Sequence, residues 1–189
     1  MKKINGRGIE VQSKSKRVGG FTLIEMLTVI AIMGILLTIA IVSFQSSKDK
    51  ANIALVKNSL QQIRSQAEAI YNKKGCYVNS ASVCMMDGPA EVIGSESSPC
   101  PTSGDSIFVD SKIMALLDQT TNARSLYTCK SNHLGTSWAI AMSYKSDPTK
   151  GWCLNNSGDT EEFTLASGAN VSALNAKMTQ NADGSIVCN

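Results

Sequence analysis

Gly19-Gly20-Phe21-Thr22-Leu23-Ile24-Glu25 joins a basic leader to an apolar run that continues to Phe44, and Glu25 is the one charged residue inside that run. An ionised side chain at the centre of a bilayer costs roughly 2.5 to 3.5 kcal/mol by insertion scales. A carboxylate this close to the start of a membrane helix therefore implies a use outside the lipid. Phe21 to Phe44 is 24 residues, about 36 Å as a helix against a hydrocarbon core of about 30 Å. The run is long enough to span and to be retained. Before it, six Lys/Arg stand against Glu10 between Met1 and Gly20. That excess keeps the leader cytoplasmic and sends the C-terminal part out. A secretory signal peptide has its small-residue cleavage site after the apolar core; here the glycine pair precedes it.

The overall charge of +3 hides a strong asymmetry. Gln45 to Lys74 carries six basic residues against Asp49 and Glu68, whereas six basic residues face eleven acidic ones from Gly75 onward. An acidic distal region has no bulk-charge footprint for nucleic acid, and no direct nucleic-acid binding is expected. All six cysteines, Cys76, Cys84, Cys100, Cys129, Cys153 and Cys188, lie beyond the apolar run. An even number confined to the exported part points to disulfides formed outside the cytoplasm. No C-x-x-C pair is present, and the single histidine, His133, has no ligand spacing for zinc.

Gly20-Phe21-Thr22-Leu23-Ile24-Glu25 with the apolar run through Gly34 resembles the prepilin signature of type IV pilins and of the pseudopilins of type II secretion and DNA-uptake machines. The resemblance implies cleavage between Gly20 and Phe21 by a membrane prepilin peptidase and N-methylation of Phe21. It further implies that Thr22, Leu23, Ile24 and above all Glu25 act in assembly, with the Glu25 carboxylate meeting the new terminal amine of a neighbouring subunit. A buried carboxylate is tolerable when paired with a cation. The implied partners are other copies and related pilins in a helical filament, the peptidase, an inner-membrane assembly platform and, before assembly, membrane lipid. No cofactor is implied. Many members of that family carry a proline in the second half of the apolar segment; this chain has none before Pro89.

Beyond the membrane, Ile53, Val56, Leu60, Ile63, Ala67 and Ile70 recur at spacings of three and four, one stripe of an amphipathic helix. One unbroken helix from about Thr22 to Lys74 is predicted, ended by Gly75, with its stripe on the chain's own sheet. After Gly75, short apolar runs between Gly, Ser, Asn, Asp and Pro predict strands at 125–129, 138–144 and 151–154 and a helix at 111–117. The expected architecture is α+β and pilin-like, with the long helix packed on a small antiparallel sheet. Its parts are a cleaved leader (1–20), a filament-core or transmembrane helix (21–44), an amphipathic continuation (45–74) and a disulfide-stabilised headgroup (75–189). Six cysteines allow fifteen pairings. The working set is Cys76 with Cys84 across the loop after the helix, Cys100 with Cys129, and Cys153 with Cys188 at the tail.

No nucleophile elbow, phosphate loop or oriented base is present, so a structural rather than enzymatic role is expected. His133, after Ser131-Asn132, is read as a solvated turn residue. Asn155 to Glu162 is oxygen-rich and reads first as a solvated turn; Asp159 and Glu161 make it a calcium candidate, although it fits no EF-hand. Two readings stand beside the pilus subunit: a pseudopilin, and a membrane-tethered binding protein that never polymerises.

Overall fold

The computed structural model describes residues 20–79, 84, 91–93, 100–101 and 104–189. The leader, Gly20 apart, lies outside the described residues. The chain divides into two compact units, Met1–Ser43 and Phe44–Asn189. The amphipathic continuation of the helix thus belongs with the headgroup.

Helix α1 runs Leu23–Lys74, 52 residues. It has no proline, and Gly34 is its one glycine. Lys73 and Lys74 occupy its last turn, where positive charge favours the C-terminal dipole. Gly75 follows at φ 78 and donates its N–H to the Tyr71 carbonyl at 2.7 Å, the left-handed cap that glycine adopts without a Cβ penalty.

The main sheet has five antiparallel strands in the order β1-β2-β3-β4-β5: β1 (Glu91–Ile93), β2 (Arg124–Asn132), β3 (Trp138–Tyr144), β4 (Lys150–Asn155) and β5 (Thr160–Thr164). Ahead of β2, helix α2 (Ser111–Gln119) is capped by the Asp110 carboxylate, which accepts from the N–H groups of Lys112 and Ile113. After β5, the short helix α3 (Val171–Asn175) leads to a separate ribbon of β6 (Met178–Gln180) and β7 (Ile186–Cys188).

Strand β3 is buried along its whole length. Trp138, Ile140, Met142 and Tyr144 share a core with Val56, Leu60, Ile63, Ala67 and Ile70 of α1. Ala139 and Ala141 join Cys153, Phe163, Leu174, Met178, Ile186 and Cys188 in a second core. The predicted stripe on α1 is therefore buried from Val56 to Ile70, with Ile53 at its start only partly so. The second layer, made by α3 and the β6–β7 ribbon, has no counterpart in the sequence reading: its elements are three to five residues long, too short to show a period.

Two strands also extend past their predicted ends. β2 continues through the polar residues Lys130, Ser131 and Asn132, all buried, because each polar group finds a partner. The Lys130 ammonium donates to the Met178 carbonyl at 2.9 Å, Ser131 Oγ lies 3.3 Å from Ser106 Oγ, and the Asn132 amide reaches Thr136 Oγ1 and the Gly184 carbonyl at 2.7 and 3.0 Å. Buried polar groups are stable when satisfied in this way. At Gly151 a Cβ would come within 2.3 Å of both the Met142 carbonyl oxygen and the Phe163 ring. The glycine leaves room for the Phe163 ring beside β4.

Candidate functional site

The N-terminus of α1 is built around Thr22 and Glu25. The Thr22 N–H and Oγ1–H both donate to Glu25 Oε2 at 2.8 Å, and the Glu25 N–H donates back to Thr22 Oγ1 at 3.3 Å. This is a reciprocal capping box, in which a Thr and a Glu three residues apart satisfy donors that the helix leaves unpaired. The Thr22-x-x-Glu25 spacing ahead of an apolar run was the readable signal, and the sequence reading gave Glu25 an assembly role without it. In hydrocarbon an unpaired N–H costs several kcal/mol. Glu25 thus serves its own helix.

Only one of its oxygens is so used. Among the described residues no partner is recorded for Oε1, and Glu25 lies on the exposed surface of the helix. Phe21, Leu23 and Ile24 are 79%, 82% and 68% exposed. Gly20 is also exposed, and nothing lies within 4 Å of where its Cβ would stand. The Gly20–Phe21 bond therefore sits at the accessible mouth of a capped helix.

Residues 15–41 match the protein family described as prokaryotic N-terminal methylation motif. The chain carries the type IV pilin and pseudopilin signature. The motif supports a pilin-like or pseudopilin precursor and points to a structural role. Among the described residues α1 is the helix long and apolar enough to cross a membrane, as an inner-membrane precursor requires. No curated protein and no solved structure matches the chain, so the pilin-type signature stands on residues 15–41.

The other singled-out residues are distributed as follows. The cysteines are joined as Cys76–Cys84, Cys100–Cys129 and Cys153–Cys188, the same pairs as the working set, with no free cysteine. Asn155 to Glu162 is not one loop. Asn155 closes β4, Thr160 opens β5, and Glu161 and Glu162 stand on that strand opposite Cys153 and Trp152. Asn155 makes the turn: its Oδ1 accepts the Asp159 N–H and its Nδ2 donates to Asp159 Oδ2, both at 2.9 Å. Asp159 and Glu161 are not gathered with a third acid; no group of three His, Cys, Asp or Glu suited to a metal occurs among the described residues. His133 is half-buried rather than fully solvated, and Ser131 and Asn132 before it belong to β2 rather than to a turn.

Proposed function

We propose that the chain is a structural subunit of a type IV pilus filament. Prepilin peptidase cuts it between Gly20 and Phe21 and methylates Phe21, an inner-membrane platform extracts it, and copies polymerise through the N-terminal half of α1 into a fibre outside the cell. The observation that carries this reading is Glu25. The otherwise apolar, exposed run from Phe21 to Phe44 holds one carboxylate, and that carboxylate is oriented by Thr22 with its second oxygen uncommitted among the described residues. An incoming terminal amine would supply the cation that makes a buried carboxylate tolerable. Removal of the apolar helix from lipid is then balanced by packing against the same helix in other copies. The disulfide-tied headgroup suits display outside the cell, where disulfides persist.

The test is Glu25→Ala in the producing cell. Cleaved protein with Phe21 at its N-terminus should accumulate in the membrane while fibres seen by electron microscopy disappear. Undiminished function of the Glu25→Ala chain would point to a tethered protein that does not polymerise. A wild-type chain that is cleaved but never found as the main component of long fibres would assign it to a pseudopilin assembly.

A further inference from the structure

We propose that a groove at one end of the headgroup holds the phosphodiester of an anionic phospholipid while the chain resides in the membrane. The proposal rests on the membrane-anchored part of the reading above and not on filament formation. The groove has a volume of about 580 Å³ and is lined by Gln45, Lys48 and Asn52 of α1 together with Asn122, Lys145 and Ser146 from the turns flanking β2 and β3. That size lies within the range of small-molecule sites, roughly 300 to 1,000 Å³.

Its chemistry suits an anion with ester oxygens. Two ammonium groups supply charge, and three side-chain amides and a hydroxyl supply donors. Among the described residues no carboxylate comes within 4.0 Å of either Lys48 or Lys145; the nearby ion pair instead joins Lys150 to Asp147 at 3.5 Å. Asp147 is further occupied by Thr149, whose hydroxyl and N–H hold its carboxyl below the usual range. Asp49 also lines the groove, leaving two positive charges against one negative. The walls are fixed by backbone, since the Lys145 N–H donates to the Ala123 carbonyl at 2.9 Å. On the headgroup side of the groove, Lys145 stands out in a region that carries eleven acidic and six basic residues from Gly75 onward.

Position in the chain names the source of the phosphate. Gln45 follows Phe44, the last residue of the apolar run, and Lys48 and Asn52 come four and eight residues after Phe44. At about 1.5 Å per helical residue they lie about 2 to 12 Å beyond the hydrocarbon edge. The polar layer of a bilayer leaflet is about 5 to 8 Å thick, so lipid phosphates reach the depth of Gln45 and Lys48, at about 2 and 6 Å, with Asn52 just beyond them. Each lysine near an anionic surface contributes about a fivefold gain in binding.

The experiment is native mass spectrometry of the full unassembled chain released from bilayers of mixed phosphatidylcholine and phosphatidylglycerol. The wild type should retain phosphatidylglycerol in preference to phosphatidylcholine. Lys48→Gln with Lys145→Gln should weaken that retention about thirtyfold, with an unchanged melting temperature. Asp49→Asn should strengthen it, and Lys112→Gln, an exposed lysine of α2, should leave it unaltered. Equal retention of the two lipids, or undiminished retention in the double variant, would overturn the proposal. Displacement by millimolar inorganic phosphate would overturn the lipid as source and leave a free-anion site. Because the readout is taken before assembly, failure of fibre formation in Glu25→Ala leaves it unaffected.

Discussion

Between Leu23 and Ser43 every described side chain of α1 is exposed, whereas between Val56 and Ala67 the same helix places Val56, Leu60, Ile63 and Ala67 at 0% exposure. The charges differ in the same way. In the first region Glu25 is bonded to its own helix terminus. In the second, Lys57 lies 3.9 Å over the Trp152 ring, Arg64 donates to the Ser157 carbonyl at 3.4 Å, and Glu68 accepts from the Tyr77 hydroxyl at 2.8 Å. A helix apolar all round must find its partner in lipid or in other chains, while a striped one finds it in its own fold. One continuous helix therefore carries two separate instructions, and the first is unmet among the described residues.

The comparison is most easily broken by equivalent truncations in the two regions. Leu60→Ala, in the fully buried stripe, should destabilise the headgroup by about 2 to 5 kcal/mol through lost burial and the cavity left behind. Leu36→Ala, at 62% exposure, should leave the headgroup's unfolding transition in detergent where it was. Equal shifts in the two variants would mean that the exposed half contributes to the headgroup's stability, and the division between the regions would fail.

Second in size are the disulfides, all confined to the headgroup unit. Cys153–Cys188 closes 35 residues and Cys76–Cys84 closes 8. Loop entropy predicts about 4 kcal/mol for the longer loop and about 2.5 kcal/mol for the shorter. Replacing Cys153 and Cys188 by serine should therefore lower the melting temperature more than replacing Cys76 and Cys84. It should also raise hydrogen exchange along β6 and β7, which cover the second core. An inverse order would mean that contacts, and not the chain constraint, hold the tail on the sheet.

What could be read from the sequence follows the same division. The apolar run, Glu25 and the stripe from Ile53 to Ile70 are long periodic signals, and α1 could be bounded almost to the residue by Thr22 and Gly75. The disulfide pairs follow chain order closely enough for the working set to coincide with the structure. The β4–β5 hairpin was hidden because Thr160-Glu161-Glu162 is polar, as an exposed edge strand is. The buried end of β2 was hidden because Lys130, Ser131 and Asn132 look like a turn until their partners, Met178 and Gly184 of the β6–β7 ribbon and Ser106, are known. The Thr22 cap was readable and needed no structure at all.

A smaller effect is expected where α1 meets the β4–β5 turn. Gly158 has φ +91, and a Cβ there would stand 2.5 Å from the Arg64 guanidinium. The flexible end of Arg64 can move aside, so Gly158→Ala should cost chiefly the left-handed strain, about 1 to 2 kcal/mol. Adding Arg64→Ala to Gly158→Ala should then cost less than Arg64→Ala alone, as measured by chemical unfolding of the four variants. Full additivity would show that the guanidinium does not hold the turn, and that the charges of the second region are less committed to the headgroup than their geometry indicates.

The mildest test concerns Tyr77, whose hydroxyl donates to Glu68 at 2.8 Å and whose ring meets Trp138 edge-on at 6.2 Å. Burial first, and then the bond and charge of Glu68, push its phenol well above the usual tyrosine value. A group whose folded pKa lies above its unfolded value, here about 10, stabilises the fold fully below that pH and loses the contribution as the pH climbs toward the folded value. Tyr77→Phe removes one hydrogen bond and should cost about 1 kcal/mol at neutral pH. Above about pH 10 the difference from wild type should narrow, since the wild type alone must keep that phenol neutral. Tyr144, also raised by burial beside Glu162, keeps part of the alkaline slope in both proteins. Melting temperatures from about pH 8 to 11 measure this directly. A constant gap across that range would mean that the phenol ionises freely in the fold and that Glu68, alone among the charges of the second region, is not held by the headgroup.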